Sequence, residues 1–168
     1  MLVYLSFAVL VICFGFVVVR GAPYVPSHRR QVERALTELY TLSDNDMLVD
    51  LGSGDGSVLR AARRYGARAI GYEINPVLVA ISRILSWRDH NVQIRLSDYQ
   101  LIDQLPQEAT VVYVFTTRHS IETIGRKMQQ WSQDRELYLI SYGFCLSHRR
   151  PVRQRGPMYL YHFYRSHA

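Results

Sequence analysis

Val49-Asp50-Leu51-Gly52-Ser53-Gly54-Asp55-Gly56 is the stretch whose reading decides the fold. Just upstream, Met47 to Leu51 has the length and apolar content of a buried strand. Just downstream, Ser57 to Tyr65 is patterned as a helix that ends near Gly66. Glycines between a strand and a helix let the backbone turn sharply and approach a ligand closely. Further out, the alternation continues. Arg68 to Glu73 reads as a strand, Pro76 to Trp87 as a helix with proline in its first turn, and Val92 to Leu96 as a third strand. Thr110 to Phe115 is a fourth strand, Ile121 to Trp131 a helix, Leu137 to Tyr142 a fifth strand and Met158 to Tyr164 a last one. This alternation predicts an α/β fold, a parallel sheet with helices on both faces. The last two strands have no clear helix between them, which places an antiparallel hairpin at that edge. Gly143 to Gly156 is polar, basic and aperiodic, and reads as a loop.

Three acids follow three successive strands. Asp50 sits at the glycine loop, Glu73 ends the second strand in Gly71-Tyr72-Glu73-Ile74-Asn75-Pro76, and Asp98 follows the third in Leu96-Ser97-Asp98-Tyr99. Taken singly, the glycines could serve only the turn, and each acid could be a solvated strand-end residue. Together they fall on one edge of one sheet. A carboxylate at Glu73 offers two acceptor oxygens and no donor, which suits a pair of ribose hydroxyls. A dinucleotide loop needs GxGxxG, whereas here the third glycine, Gly56, comes one residue early and Asp50 precedes the loop. The pattern therefore favours S-adenosyl-L-methionine (SAM) over a nicotinamide cofactor. In this reading Asp50 holds water or the ligand's ammonium group, Gly52, Ser53, Gly54 and Gly56 pack along it, Glu73 meets the ribose hydroxyls, Asn75 also belongs to the cofactor site, Asp98 takes the adenine amino group, and Tyr99 covers the ring.

The chain has 168 residues, 48% hydrophobic and 20% charged, enough apolar content for an ordered core and too much for a disordered chain. The net charge of +6 is carried largely by arginine and is spread along the sequence. That suits a surface beside an anionic membrane. The two cysteines, Cys13 and Cys145, and the histidines show no spacing that suggests a metal site.

Leu2 to Val19, LVYLSFAVLVICFGFVVV, carries no charge and is about long enough to cross a hydrocarbon core as a helix. No Lys or Arg precedes it and no clear small-residue cleavage site follows it, which argues against a signal peptide. Arg20, Arg29 and Arg30 follow it, so the positive-inside rule puts the remainder in the cytoplasm. The expected organisation is a transmembrane anchor at 1–20, a connector and N-terminal helix at 21–45, and a cofactor-binding domain at 46–168. Within the connector, Pro23 and Pro26 break helix at both ends of a stiff segment. Ser27 caps a helix from about His28 to Tyr40, with Val32, Ala35, Leu36 and Leu39 on one face.

Pro23-Tyr24-Val25-Pro26-Ser27, joined to Asp50 through Gly56 and to Gly71 through Pro76, resembles the small protein-lysine methyltransferases. That group includes a broad-specificity archaeal enzyme and the mitochondrial enzymes that modify the ATP synthase c subunit and the adenine nucleotide translocase. Weaker echoes are Val111 to Phe115 and Ser141 to Phe144. The resemblance covers nearly everything after residue 22. It implies a Rossmann-like class I methyltransferase sheet with helices on both faces, preceded here by a single transmembrane helix. It also implies SAM as cofactor, a protein substrate in or near the membrane, and Tyr24 near the cofactor; Tyr24 and Tyr99 are the candidate walls of the reacting centre. The chain departs from the family at Ser57, where Arg is usual, and at Thr116-Thr117-Arg118, where an apolar continuation is usual. These departures bear on the acceptor rather than the cofactor. A lipid or small-molecule acceptor, and a module that binds SAM without catalysis, stay open as alternatives. No Asn-Pro-Pro-Tyr-type loop follows the fourth strand, so nucleic acid is not the expected acceptor.

Overall fold

The computed structural model describes Tyr4 and residues 29–165. The rest of the expected anchor, Tyr24 and the proline-bounded connector lie outside the described residues. Among the described residues no helix is long and apolar enough to cross a membrane.

The N-terminal helix α1 spans Arg29–Arg34 and runs into a π-helical turn, Ala35–Leu39. The wider turn is closed by the Tyr40 amide donating to the Ala35 carbonyl at 2.9 Å. Val32, Ala35, Leu36 and Leu39 are buried, as their spacing predicts. The alternation that follows is β1 (Met47–Leu51), α2 (Ser57–Arg64), β2 (Arg68–Glu73), α3 (Pro76–Leu85), β3 (Val92–Leu96), a 3-10 turn (Tyr99–Leu101), β4 (Val111–Phe115), α4 (Arg118–Trp131), β5 (Leu137–Tyr142), β6 (Arg153–Arg155) and β7 (Met158–Phe163).

The strands form one sheet in the order β3-β2-β1-β4-β5-β7-β6. The pairs from β3 to β5 are parallel, and β7 pairs antiparallel with both β5 and β6. The helix-free step between β5 and β7 is thus an antiparallel return, as expected. Side chains from the two faces of the sheet build two cores. One gathers α1 and α2 against Leu48, Ala69, Val111 and Ile140. The other gathers α4 against Val49, Ile70, Val112 and Leu139.

Besides one-residue shifts at the ends of α2, β4 and β7 and the π-helical turn after α1, three elements differ from expectation. Helix α4 begins at Arg118, three residues before Ile121, because the Thr117 side chain caps it by accepting from the Ser120 amide. The stretch read as a loop from Gly143 to Gly156 contains β6, whose three residues are all exposed. An edge strand with no buried face carries no hydrophobic alternation to read. Helix α3 stops at Leu85 rather than Trp87, within the usual margin for a helix end.

Candidate functional site

β1 lies between β2 and β4, the point where the sheet order reverses. Ligands of open α/β sheets bind in the crevice beyond the carboxyl ends of the strands at such a point. Asp50 stands there, in register with Gly71 of β2 and Tyr113 of β4. The chain leaves β1 through Gly52, Gly54 and Gly56, with φ of 87°, 55° and 79°. An L-residue with a side chain rarely adopts this left-handed backbone, so the loop needs glycine there. The Tyr72 carbonyl, at the end of β2, accepts from the amides of both Gly52 and Ser53, at 2.9 and 3.0 Å. The Gly56 amide closes the turn on the Ser53 carbonyl at 2.8 Å.

Glu73 is buried and holds the loop to the second strand. Its Oε2 accepts from the Gly54 amide at 2.9 Å and its Oε1 accepts from the Asn75 amide at 2.8 Å. Each oxygen keeps a further lone pair for a ligand hydroxyl. Asn75 in turn caps α3, its Oδ1 accepting from the Val77 amide at 3.0 Å. Asp98 caps the 3-10 turn by accepting from the Gln100 amide at 2.8 Å, and the Ser97 amide donates to the Glu73 carbonyl at 3.0 Å. The three expected acids therefore share one edge of the sheet. Tyr99 is half-buried and packs against the core on the α4 side. Tyr24 is outside the described residues, so nothing places it at the site.

Asp50 is 3% exposed. Burial, and after it the charges of Glu73 and Asp55, push its carboxyl well above the usual carboxylate range. Among the described residues no donor bonds to it, and a cationic group beside it would relieve the cost of its charge. The Ser53 hydroxyl is also buried with no partner among the described residues. A side chain added at Gly52 would meet open space. A buried acid short of a cation, a carboxylate with spare acceptors and an open backbone approach fit an amino-acid-plus-nucleoside ligand such as SAM.

Across the switch point, Phe115 ends β4 and Tyr142 ends β5, in register with each other. Their ring centroids are 4.7 Å apart. Gly143, with φ of 94°, follows directly and borders the Phe115 ring, which a Cβ there would touch at 3.4 Å. Both segments echo the family in sequence, but neither ring stands out there as a site residue. Only the register, which sequence does not display, brings them together.

This glycine loop, with its acids, at the reversal of a β3-β2-β1-β4-β5-β7-β6 sheet defines a Rossmann-like fold of the methyltransferase class. Residues 50–153 match the family described as the ANTKMT methyltransferase domain, and the chain belongs to that family. It is 35% identical over 115 residues to a lysine N-methyltransferase of the ATP synthase c subunit from Xenopus laevis, covering 67% of this chain and 49% of the relative. It is 48% identical over 67 residues to an adenine nucleotide translocase lysine N-methyltransferase of Mus musculus, covering 39% of this chain and 28% of the relative. The chain thus spans about half or less of the length of these curated relatives. Among solved structures it is similar to an RNA methyltransferase from Salinibacter ruber in complex with S-adenosyl-L-homocysteine. That likeness has a TM-score of 0.75 and 30% identity, and covers 86% of this chain and 97% of the other.

Proposed function

We propose that this protein is a SAM-dependent methyltransferase that modifies a lysine amine of a protein in or near a membrane. The observation that carries the cofactor half is the Glu73 carboxylate, held by the amides of Gly54 and Asn75 beside the buried Asp50. Glu73 and Asn75 meet the ribose end, Asp50 faces the ammonium group, and Asp98 and Tyr99 serve the adenine. Bound SAM supplies an electrophilic methyl group on a sulfonium. The protein's own part is to hold the acceptor in line and keep it neutral. Positioning of this kind supplies much of the rate in group transfer. The Phe115 and Tyr142 rings offer an apolar wall at the ends of β4 and β5, and such a wall lowers the pKa of a lysine amine by penalising its charged form. No dedicated base is needed on this account. Tyr24 is proposed as a second wall.

The acceptor half is supported by relatives that are named as lysine N-methyltransferases. The apolar run from Leu2 to Val19 supports a single-pass anchor, with the domain facing the cytoplasm. An anchor raises the effective concentration of enzyme near membrane targets. Carbonate extraction and protease protection of the full chain test both statements.

One observation favours a second reading. The Salinibacter protein, matched along 97% of its length, is described as an RNA methyltransferase, and this chain carries a net charge of +6. Methyl-labelled SAM offered with membranes and total RNA separates the two. Label in a protein band supports the first reading, label in RNA the second, and label in the lipid extract a lipid acceptor.

A further inference from the structure

Helix α3 is amphipathic in the reverse sense. Its inward side carries Val79, Ser82 and, just past its end, Ser86, all buried. The hydroxyls of both serines have no partner among the described residues. This side lies directly against the cofactor loop, for a Cβ on Gly56 would collide with the Ser82 Oγ. Its outward side carries Val77, Ala80, Ile81, Ile84 and Leu85, which follow one another around a single arc of the helix. Ile84 is 69% exposed, and Trp87, just beyond the helix, is 70% exposed. A helix on the surface of a sheet ordinarily turns its apolar stripe to the core. A contiguous apolar face turned to solvent marks a contact site.

The charge around this face identifies the partner. The segment from Pro76 to Arg88 contains no acidic residue and two arginines. Arg83 is exposed on the flank of the apolar arc and donates to the Ile94 carbonyl of β3 at 2.9 Å. The Arg88 guanidinium stacks on the Trp87 ring, 4.6 Å from its centroid. The next acid along, Asp89, is already paired with Arg63 at 2.9 Å. An apolar arc with tryptophan at its end and arginine at its margin is the pattern of a helix lying in the interface of an anionic bilayer.

We propose that the outer face of α3 docks on an anionic bilayer surface and lies in the plane of the headgroups. The docking rests on the proposed membrane function for its purpose, and on the apolar arc of α3 and its flanking arginines for its existence. The Asn75 cap makes the start of α3 adjacent to Glu73. Docking along α3 therefore turns the cofactor edge of the sheet to open sideways, along the membrane, toward acceptors near headgroup level.

The test uses the full chain with vesicles of phosphatidylcholine alone or mixed with phosphatidylserine, each carrying brominated lipid. Trp131 is buried, so Trp87 dominates the quenchable emission. The expected result is a blue-shifted, quenched Trp87 on serine-containing vesicles, with the quenched component absent in Trp87→Phe. Ile84→Glu with Leu85→Glu removes the quenching, while circular dichroism and SAM affinity stay those of the parent. Arg83→Glu with Arg88→Glu removes the preference for anionic lipid. An unquenched Trp87 that aqueous acrylamide still reaches in vesicles overturns the proposal. So does a Trp87 already shielded without vesicles, which gives the face to this chain's own residues, or one shielded only at high protein concentration, which gives it to a second copy. Carbonate extraction of the same vesicles reports on residues 2–19 separately. Extractable chain with quenched Trp87 would sink the anchor and keep the docking, whereas resistant chain with unquenched Trp87 would do the reverse.

Discussion

Two carboxylates at the cofactor edge do opposite things. Glu73 is buried but bonded on both oxygens, whereas Asp50 is buried and takes no bond from a described donor. Glu73→Ala removes the clamp between the loop and β2 along with the proposed ribose acceptor. SAM affinity by calorimetry should fall at least about tenfold, or about 1.4 kcal/mol; unchanged affinity would remove Glu73 from the site. Asp50 carries a pH dependence whose sign follows from its raised pKa. The folded state holds the Asp50 proton more tightly than the unfolded chain does, so stability is lost as pH rises from the ordinary aspartate pKa through the raised one. Asp50→Asn should therefore raise the melting temperature at neutral pH while weakening SAM binding, the usual opposition of stability and function at a site. The ammonium group of the ligand favours ionised Asp50, so binding should release a proton below the raised pKa, and affinity should climb with pH through it. Calorimetry in two buffers of different ionisation enthalpy reads that proton directly; equal heats would contradict the role. The acids themselves were legible in the sequence, because each follows a strand of clear pattern. The Gly54 and Asn75 amides that hold Glu73 were not, since a backbone donor has no signature in residue type.

At the scale of elements, the loop and the strand ends are fitted to each other. A Cβ on Gly71 of β2 would stand 2.6 Å from the Ser53 Cβ and 2.7 Å from the Leu59 Cδ1. Gly71→Ala should thus cost about 1–3 kcal/mol in denaturant unfolding, the usual range for overpacking, and should weaken SAM binding by shifting the loop. At the opposite end of β1, Asp46 accepts from the Tyr40 hydroxyl at 2.7 Å, the Thr110 hydroxyl at 2.8 Å, and the Ser43 amide and hydroxyl, both at 2.8 Å. Burial alone would raise its pKa, but these bonds outweigh burial and lower it. This network ties the end of α1 to the starts of β1 and β4. Asp46→Ala should destabilise by about 2–3 kcal/mol without touching the cofactor edge, and the stability Asp46 provides should fade as pH drops through its depressed pKa. Strands β1, β2, β3 and β5 are as expected to the residue; β1, β2 and β5 are largely buried and read as apolar runs, whereas β3 is an edge strand with only Val92 buried, whose apolar residues alternate with polar ones. Strand β6 and the early start of α4 were not legible. The first has no buried face, and the second depends on a threonine cap in a stretch read as a family departure.

At the scale of the molecule, the order of the sheet decides where chemistry can happen. The sheet order reverses at β1 and β4, and the glycine loop, the acids and the Phe115–Tyr142 pair all lie at the carboxyl ends of the strands around that point. The parallel half of this topology was legible from alternation alone, and the return through β7 from the missing helix. The Phe115–Tyr142 pair, proposed as the acceptor wall, was not legible, because the rings meet only when β4 and β5 pair in register. The outward apolar face of α3 was likewise hidden, since a helical stripe does not say which side of the sheet it meets. In the proposed function, a methyl group passes at the cofactor edge from SAM to a protein lysine. The most direct measurement is transfer of label from methyl-labelled SAM by the full chain to native membrane proteins and total RNA, with labelled peptides identified by mass. Methylated lysine in a membrane protein, lost in Glu73→Ala, is the expected result. Label confined to RNA or lipid, or SAM binding with no transfer to any fraction, would contradict the proposed function.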